Sequence, residues 1–351
     1  MPLDLTADLP ALLHQITDIE SVSGHETDLA DAIEATLSAA SHLRIERDGD
    51  AVVARTNLGR PARVVVAGHI DTVPVAGNLP SWREGDRIYG RGTCDMKGGV
   101  AVMIAAAVTL DAPRHDVTWI FYDHEEVEAA KNGLGRLARR RPGLLDGEFA
   151  VLMEPTAARI EGGCQGTLRF EITLTGRAAH SARSWLGHNA IHGAGAVLRV
   201  LENYVPRTVE VDGLDYREGL NAVGISGGIA GNVIPDRCTV VVNFRFAPDR
   251  SIEDAKQHCR DLFGGRELVF TDESPAARPG LHLPAAAEFL AAVGGEPRAK
   301  YGWTDVARFS ALGVPAVNFG PADPGKAHAD DEFCPVADLD TCYAAILRWL
   351  G

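Results

Sequence analysis

Four runs of nearly continuous apolar residues stand out along the chain: RVVVAG at 63–68, VTWIFY at 117–122, EFAVLM at 148–153 and PAVNFG at 315–320. Helix-period segments lie between them. Strands covered on both faces have this composition, so the pattern predicts an α/β fold with a mixed, largely parallel sheet flanked by helices. Apolar spacing of the helical kind predicts helices near 8–20 and 26–40. His25-Glu26-Thr27-Asp28 brings acidic groups to the first turn of the second. AVMIAAAV, after Gly98 and Gly99, reads as a buried helix.

The middle of the chain is patterned differently. TLRFEITLTG, LNAVGISGGIA and CTVVVNFRF are alternating or mixed strands, and helical segments near 188–202 and 251–263 are interleaved with them. Strand, helix, two strands, helix and strand make a split βαβ sandwich. The expected organisation is therefore a first domain of residues 1–165 and 277–351, with an α+β domain at 166–276 inserted into it. The Pro-rich stretch SPAARPGLHLP, 274–284, marks the return.

Composition narrows the function classes. The chain has 351 residues, 46% hydrophobic and 23% charged, enough for one large core and two domains. Lys and Arg total 34 against 48 Asp and Glu, giving a formal charge of −14 (34 − 48). An acidic chain with no extended basic stripe is a poor candidate for nucleic acid or an anionic membrane. RLARRR, Arg136 to Arg141, is the local exception and reads as the solvated face of a short helix after Gly135. The first twenty or so residues lack a basic n-region and an apolar h-region, so they do not read as a secretory signal. No apolar stretch reaches the ~20 residues of a membrane span. Six cysteines without CxxC pairing point to reduced thiols and a cytoplasmic protein.

The candidate chemistry lies where the apolar runs stop. The first ends on His69 and Asp71, the second runs into Asp123-His124-Glu125-Glu126, the third ends on Glu154, and His328 follows the fourth after a loop. Ligands of open α/β sheets bind beyond the carboxyl ends of the strands. Asp95, in the Gly-rich turn GRGTCDMKGG, is the natural fifth contributor. Each piece alone has a bland reading: a capped turn for H-x-D, a solvated pair for Glu-Glu, a surface group for His328. Four strands delivering such groups to one edge is the signal.

Imidazole and carboxylate ligands suit two zinc ions per subunit, with cobalt or manganese suited to the same set. If Asp95 bridges, His69 and Glu154 complete one site, and Glu126 and His328 the other. Glu125 is then left over as general base for a metal-held water. Asp71 can bond the His69 ring and fix its tautomer. A binding or scaffold protein that merely kept the fold would have no use for an uncommitted base there.

GHIDTVP, YGRGTCDMKGG, the HEE of DHEEVEAAKNG, MEPT and HADDEF occur in the order seen in dizinc aminoacylases and exopeptidases, and the chain resembles that family along essentially its whole length. The family includes acetylornithine deacetylases, carboxypeptidases, dipeptidases and succinyl-diaminopimelate desuccinylases. The resemblance implies the same ligand set, a cis peptide at Asp95–Met96, and a homodimer formed through the inserted domain. It also implies that His180, in GRAAHSA, stabilises an oxyanion in the partner's site. Asn232 in GNVIPD and Arg245 in NFRF would grip the carboxylate of a small-molecule N-acyl amino acid. Taken alone, His180 reads as a surface or helix-start histidine and Arg245 as an ion pair at a strand end.

GWTDVARF resembles the actinobacterial desuccinylases. That implies hydrolysis of N-succinyl-LL-2,6-diaminopimelate to succinate and LL-2,6-diaminopimelate, a step toward lysine and peptidoglycan precursors. Acetylornithine, other N-acyl amino acids and dipeptides are the rival substrates within the family. Gly302, Trp303 and Thr304 occupy the segment where relatives carry Gly-Thr-Ser before Asp, so a bulky ring replaces a small hydroxyl residue. Cys164-Gln165 stands where some relatives place arginines.

Overall fold

The computed structural model describes residues 2–351. Two compact units are present. The first contains the chain up to Gly163, Pro279–Arg298 and Asp305–Gly351; the second contains Cys164–Arg278 and Ala299–Thr304.

The first unit is built on an eight-stranded sheet. Its central four strands, in spatial order Asp116–Tyr122, Arg63–His69, Phe149–Leu152 and Ala316–Asn318, run parallel. These are the four apolar runs of the sequence. The sheet is mixed because Ala51–Arg55 joins Asp116–Tyr122 antiparallel and Glu161–Gly162 joins Ala316–Asn318 antiparallel. Every residue of Asp116–Tyr122 is buried, which is why that run shows no polar alternation.

The helices Leu9–Asp18, Thr27–Ser38, Gly98–Thr109 and Val336–Leu350 contribute the rest of the core. Trp349 meets the rings of Phe149 and Phe289 edge-on at 6.0 and 4.9 Å. Gly98–Thr109 lies so close to the sheet that a Cβ on Gly99 would sit 2.2 Å from the Met153 carbonyl oxygen. A Cβ on Gly320 would sit 2.3 Å from that same oxygen. Two glycines thus let three segments close on the residue before Glu154. No helix among the described residues is long and apolar enough to cross a membrane.

Two expectations about charged residues change. Glu26 lies just outside the helix Thr27–Ser38 and is fully buried. Its carboxylate accepts from Gly24 N at 2.8 Å and His124 N at 3.2 Å, so Asp28 alone supplies the first-turn charge. In the helix Gly133–Arg140, Arg139 and Arg140 are exposed, but Arg136 is not a solvated group. Its guanidinium donates to both oxygens of Asp123, at 2.9 and 2.7 Å, and to Asp48 at 2.7 Å. Arg141 pairs with Glu46.

Asp116 holds the loop ahead of the Arg63–His69 strand, accepting from Leu58 N at 2.7 Å, Arg60 N at 3.0 Å and Thr56 Oγ1 at 3.1 Å. Burial alone would raise its pKa, but these bonds and the Arg63 charge hold it below the ordinary value. A depressed carboxylate pKa stabilises the fold above the unfolded value of ~3.9, and that contribution is lost as pH falls through the folded value. Asp116→Ala should cost about 2 kcal/mol at pH 7, the scale of hydrogen bonds to a charged group. Melting curves should show the gap from the parent narrowing below pH ~4. A gap that stays constant into acid would assign the loss to packing.

The second unit has a four-stranded antiparallel sheet in the order Gly219–Gly227, Arg237–Phe246, Gly166–Thr175 and Val269–Ser274. Helices Ala190–Glu202 and Ile252–Leu262 share its core, in which Phe170, Val240 and Phe244 lie with Ala194, Val197 and Cys259. Ser251 and Asp254 form a capping box at the start of the second helix. A hairpin of Thr208–Val211 and Leu214–Arg217 and a short ladder of Ala179–His180 with Val233–Ile234 add to the strands the sequence pattern shows. All six cysteines of the chain are free and buried.

Candidate metal centre

Because the four central strands are parallel, their carboxyl ends lie at one edge of the sheet. His69 is the last residue of its strand, Glu125 and Glu126 follow Tyr122, and Glu154 follows Leu152. His328 comes after Asn318 by way of the turn Pro324–Lys326. Asp95 sits in the tight turn Thr93–Lys97 that opens the helix Gly98–Thr109, and the Asp95–Met96 peptide is cis, as the resemblance implies.

The side chains converge. His69 Nε2 is 3.1 Å from Asp95 Oδ1, while His328 Nε2 is 3.4 Å from Asp95 Oδ2 and 2.9 Å from Glu126 Oε1. Each oxygen of Asp95 thus faces a different imidazole, the disposition of a carboxylate that can serve two cations. His69, Asp95 and Glu126 each offer a ligand atom within 4.8 Å of the others. Glu154 is buried and close enough for its charge to act on His69.

The electrostatics match a site for positive charge. Burial works against protonation of His69, but the bonds to Asp71 and Asp95 and the charge of Glu154 outweigh it and hold its pKa well above the ordinary value. Bonds to Asp95 and Glu126 raise His328 to about 10. Burial would raise the Asp95 carboxyl, yet the two histidines keep it well below the carboxylate range. A field that pulls protons onto two imidazoles also attracts divalent ions. Nitrogen and oxygen donors gathered at these spacings fit a divalent metal ion.

Asp71 holds the glutamate loop as well as facing the ring. The His69 Nδ1–H donates to the Asp71 carbonyl at 3.0 Å, with the carboxylate Oδ1 at 3.5 Å. The carboxylate accepts instead from Glu125 N at 2.9 Å, Glu126 N at 3.0 Å and Ser23 Oγ at 2.6 Å. Both glutamates are therefore fixed at the backbone by one residue of the neighbouring strand end. The Glu125 carboxyl takes no hydrogen bond from the described residues. Burial pushes it well above the ordinary range; His69 opposes the shift and Asp305, Glu154 and Glu126 add to it.

Sequence reasoning passed over the residues that shape this loop. His124 takes a left-handed backbone with φ 57°. Its Nδ1 lies 2.8 Å from Asp123 Oδ2 and 3.2 Å from Glu26 Oε1. Arg136 in turn grips Asp123. The arginine in RLARRR whose spacing puts it on the buried side of its helix was the available signal.

The remaining candidates belong to the second unit. His180 pairs in register with Val233, and Ser181 N donates to the Asn232 carbonyl at 2.9 Å, so His180 and Asn232 are neighbours. His180 Nδ1 accepts from Ala182 N at 3.1 Å, which leaves the ring proton on Nε2 of an exposed side chain. Arg245 is partly buried and has no carboxylate within ion-pair distance among the described residues, and burial lowers its pKa. The strand-end ion pair open to it on spacing alone is not formed. Gly302 is exposed, Trp303 Nε1 donates to the Pro275 carbonyl at 3.0 Å, and Thr304 is buried.

The chain is similar to known proteins along nearly its whole length. The family described as Peptidase family M20/M25/M40 matches residues 65–351. The chain is 54% identical over 352 residues to a Mycobacterium tuberculosis protein provisionally named a succinyl-diaminopimelate desuccinylase, covering 99% of each. It is 46% identical over 357 residues to the succinyl-diaminopimelate desuccinylase of Corynebacterium glutamicum, covering 99% of this chain and 96% of that one. Among solved structures, a tripeptidase from Staphylococcus aureus superposes with a TM-score of 0.80 at 20% identity, covering 97% of this chain and 96% of that one. A dinuclear metal-binding peptidase from Bacillus subtilis gives 0.70 at 20% identity, covering 97% and 96%. At that identity the two structures speak to the fold alone.

Proposed function

The chain belongs to peptidase family M20/M25/M40, and from that premise we propose that it is a desuccinylase, hydrolysing N-succinyl-LL-2,6-diaminopimelate to succinate and LL-2,6-diaminopimelate. The observation that carries the hydrolytic reading is the cluster of His69, Asp95 and Glu126 within 4.8 Å, with an unbonded Glu125 beside it. The choice of substrate rests on near-full-length identity to two proteins of that name.

In this reading His69, Asp95 and Glu154 would hold one metal ion, taken as zinc, and Asp95, Glu126 and His328 would hold the other. When bound, such a pair polarises the amide carbonyl and brings the pKa of a bound water toward ~7. Glu125 accepts the proton of the attacking water at its carboxylate and returns it to the leaving amine nitrogen. Asp71 keeps Glu125 and Glu126 in place and sets the His69 tautomer through its carbonyl. Arg245, a guanidinium with no partner carboxylate, suits a substrate carboxylate, and Asn232 adds a donor. His180, with its ring N–H on Nε2, suits the oxyanion that develops in the partner subunit's site.

The active form is a cytoplasmic homodimer joined through the second unit. Val223 and Ile225 on the edge strand Gly219–Gly227, Ile191 and Leu198 on the helix Ala190–Glu202, and Ile229 are all exposed apolar residues of that unit. Six buried free thiols suit a reducing compartment.

The test is a substrate panel on protein stripped with a chelator and reloaded with zinc. The kcat/KM for succinyl-diaminopimelate should exceed that for N-acetylornithine by at least about 10²-fold, and by up to about 10⁴- to 10⁵-fold where the site hydrogen-bonds polar groups that the smaller substrate lacks. Equal values would withdraw the desuccinylase assignment in favour of a broader N-acyl amino acid hydrolase.

A further inference from the structure

Arg91 and Glu332 form an ion pair for which the proposed chemistry has no use. Arg91 Nη1 donates to Glu332 Oε2 at 2.6 Å, and the side chains are only 4% and 1% exposed. Such a buried pair is weak evidence for stability, since apolar residues of similar volume often serve as well. Its directional bonds reach two particular places. Glu332 Oε1 accepts from Cys94 N at 3.3 Å, the residue before Asp95. Arg91 Nη1 also donates to the Ala329 carbonyl at 3.3 Å, the residue after His328.

Asn78 reinforces the connection. Its carbonyl accepts from Arg91 N at 3.1 Å, and its Nδ2 donates to the Asp330 carbonyl at 3.3 Å. The Gly90 N–H donates to the Glu332 carbonyl at 3.4 Å. The turn that presents Asp95 and the loop that presents His328 are thus fastened to each other.

The two histidines differ in what else holds them. His69 ends a central strand, is 1% exposed, and donates its Nδ1–H to the Asp71 carbonyl. His328 lies on a loop, is 51% exposed and has a left-handed backbone with φ 64°. Packing positions the first. The fastened loops must position the second.

We infer that the Arg91–Glu332 pair is a positioning device for one half of the metal centre: it sets the spacing of His328 from Asp95 and so the affinity for the ion shared by Asp95, Glu126 and His328. The inference rests on the two-ion reading above. The ion at His69 and Glu154 depends on the pair less, because strand packing holds His69 and only Asp95 of its ligands lies on the fastened turn.

The test is a zinc titration of chelator-stripped full-length protein, followed by calorimetry and metal analysis. Arg91→Met/Glu332→Leu removes both charges together and leaves no lone buried ion. Glu332→Gln keeps the acceptor for Cys94 N while removing the charge, and covers the case in which the double variant does not fold. Either should bind one ion within a few-fold of the parent and the second about 10- to 100-fold more weakly, the range for residues that orient ligands without touching the metal. The melting temperature of the metal-free double variant should stay within a few degrees of the parent's. Parent-like affinity for both ions in the variants, or equal weakening of both, would overturn the positioning role and leave the two-ion reading intact. A parent that binds fewer than two ions, or His328→Ala that still binds both normally, would overturn the two-ion reading itself.

Discussion

Glu125→Gln should lower kcat by about 10²- to 10⁴-fold, the range for loss of a general acid–base group, with KM and metal content little changed. The substitution leaves the shape of the loop alone. The Glu125 N–H still donates to Asp71 and the Glu126 N–H beside it does the same, so the neighbouring ligand keeps its place. Only the ability to take a proton disappears. The carboxyl has no structural bond to lose among the described residues, so a fall in rate cannot be assigned to a broken scaffold. Steady-state kinetics and metal analysis on the same preparation separate the cases. Turnover within a few-fold of the parent would remove Glu125 from the chemistry, and loss of metal would recast it as a ligand.

Asp95→Asn should have the other large effect, and of a different kind: both ions are lost. Each oxygen of Asp95 faces a separate imidazole, at 3.1 and 3.4 Å. An amide replaces one of those oxygens by a donor and removes the shared negative charge, so neither half retains its ligand set. Activity should fall by roughly 10³-fold or more, since the charge stabilisation supplied by bound metal is worth several kcal/mol. The stabilisation that zinc confers on the parent should vanish too, because a ligand raises the melting temperature only by binding the folded state. Melting curves with and without chelator, well separated for the parent, should coincide for the variant. Retention of two ions per chain would dismiss Asp95 as the bridge.

Much of this is legible in the amino-acid pattern itself. A strand buried on both faces needs apolar residues at every position, so VTWIFY and RVVVAG declare themselves, and parallel strands put their ends together. Hence His69, Glu126, Glu154 and His328 could be grouped although they come from four distant segments. What could not be read were pairings whose value lies in three dimensions. Arg91 and Glu332 stand 241 residues apart, and nothing in GRGT or DDEF marks either as buried. Glu26 looks like an ordinary first-turn acid because its sequence neighbours are polar. Its buried carboxylate meets the backbone of His124, 98 residues away. For Asp71 the spacing to His69 was visible, but its two bonds to the glutamate backbone depend on the adjacent strand. The sequence pattern tracks local burial and period; it carries no record of which distant group a charge will meet.

The strand Ala316–Asn318 lies inside the sheet, between Phe149–Leu152 and Glu161–Gly162, although the whole second unit precedes it in the chain. On a ribosome, Phe149–Leu152 must therefore emerge and wait with one edge unpaired while more than a hundred further residues are made. That edge is apolar and ready to pair with another nascent chain. His328 arrives later still, so His69, Asp95 and Glu126, which cluster with it in the finished fold, are all made about two hundred residues ahead of it.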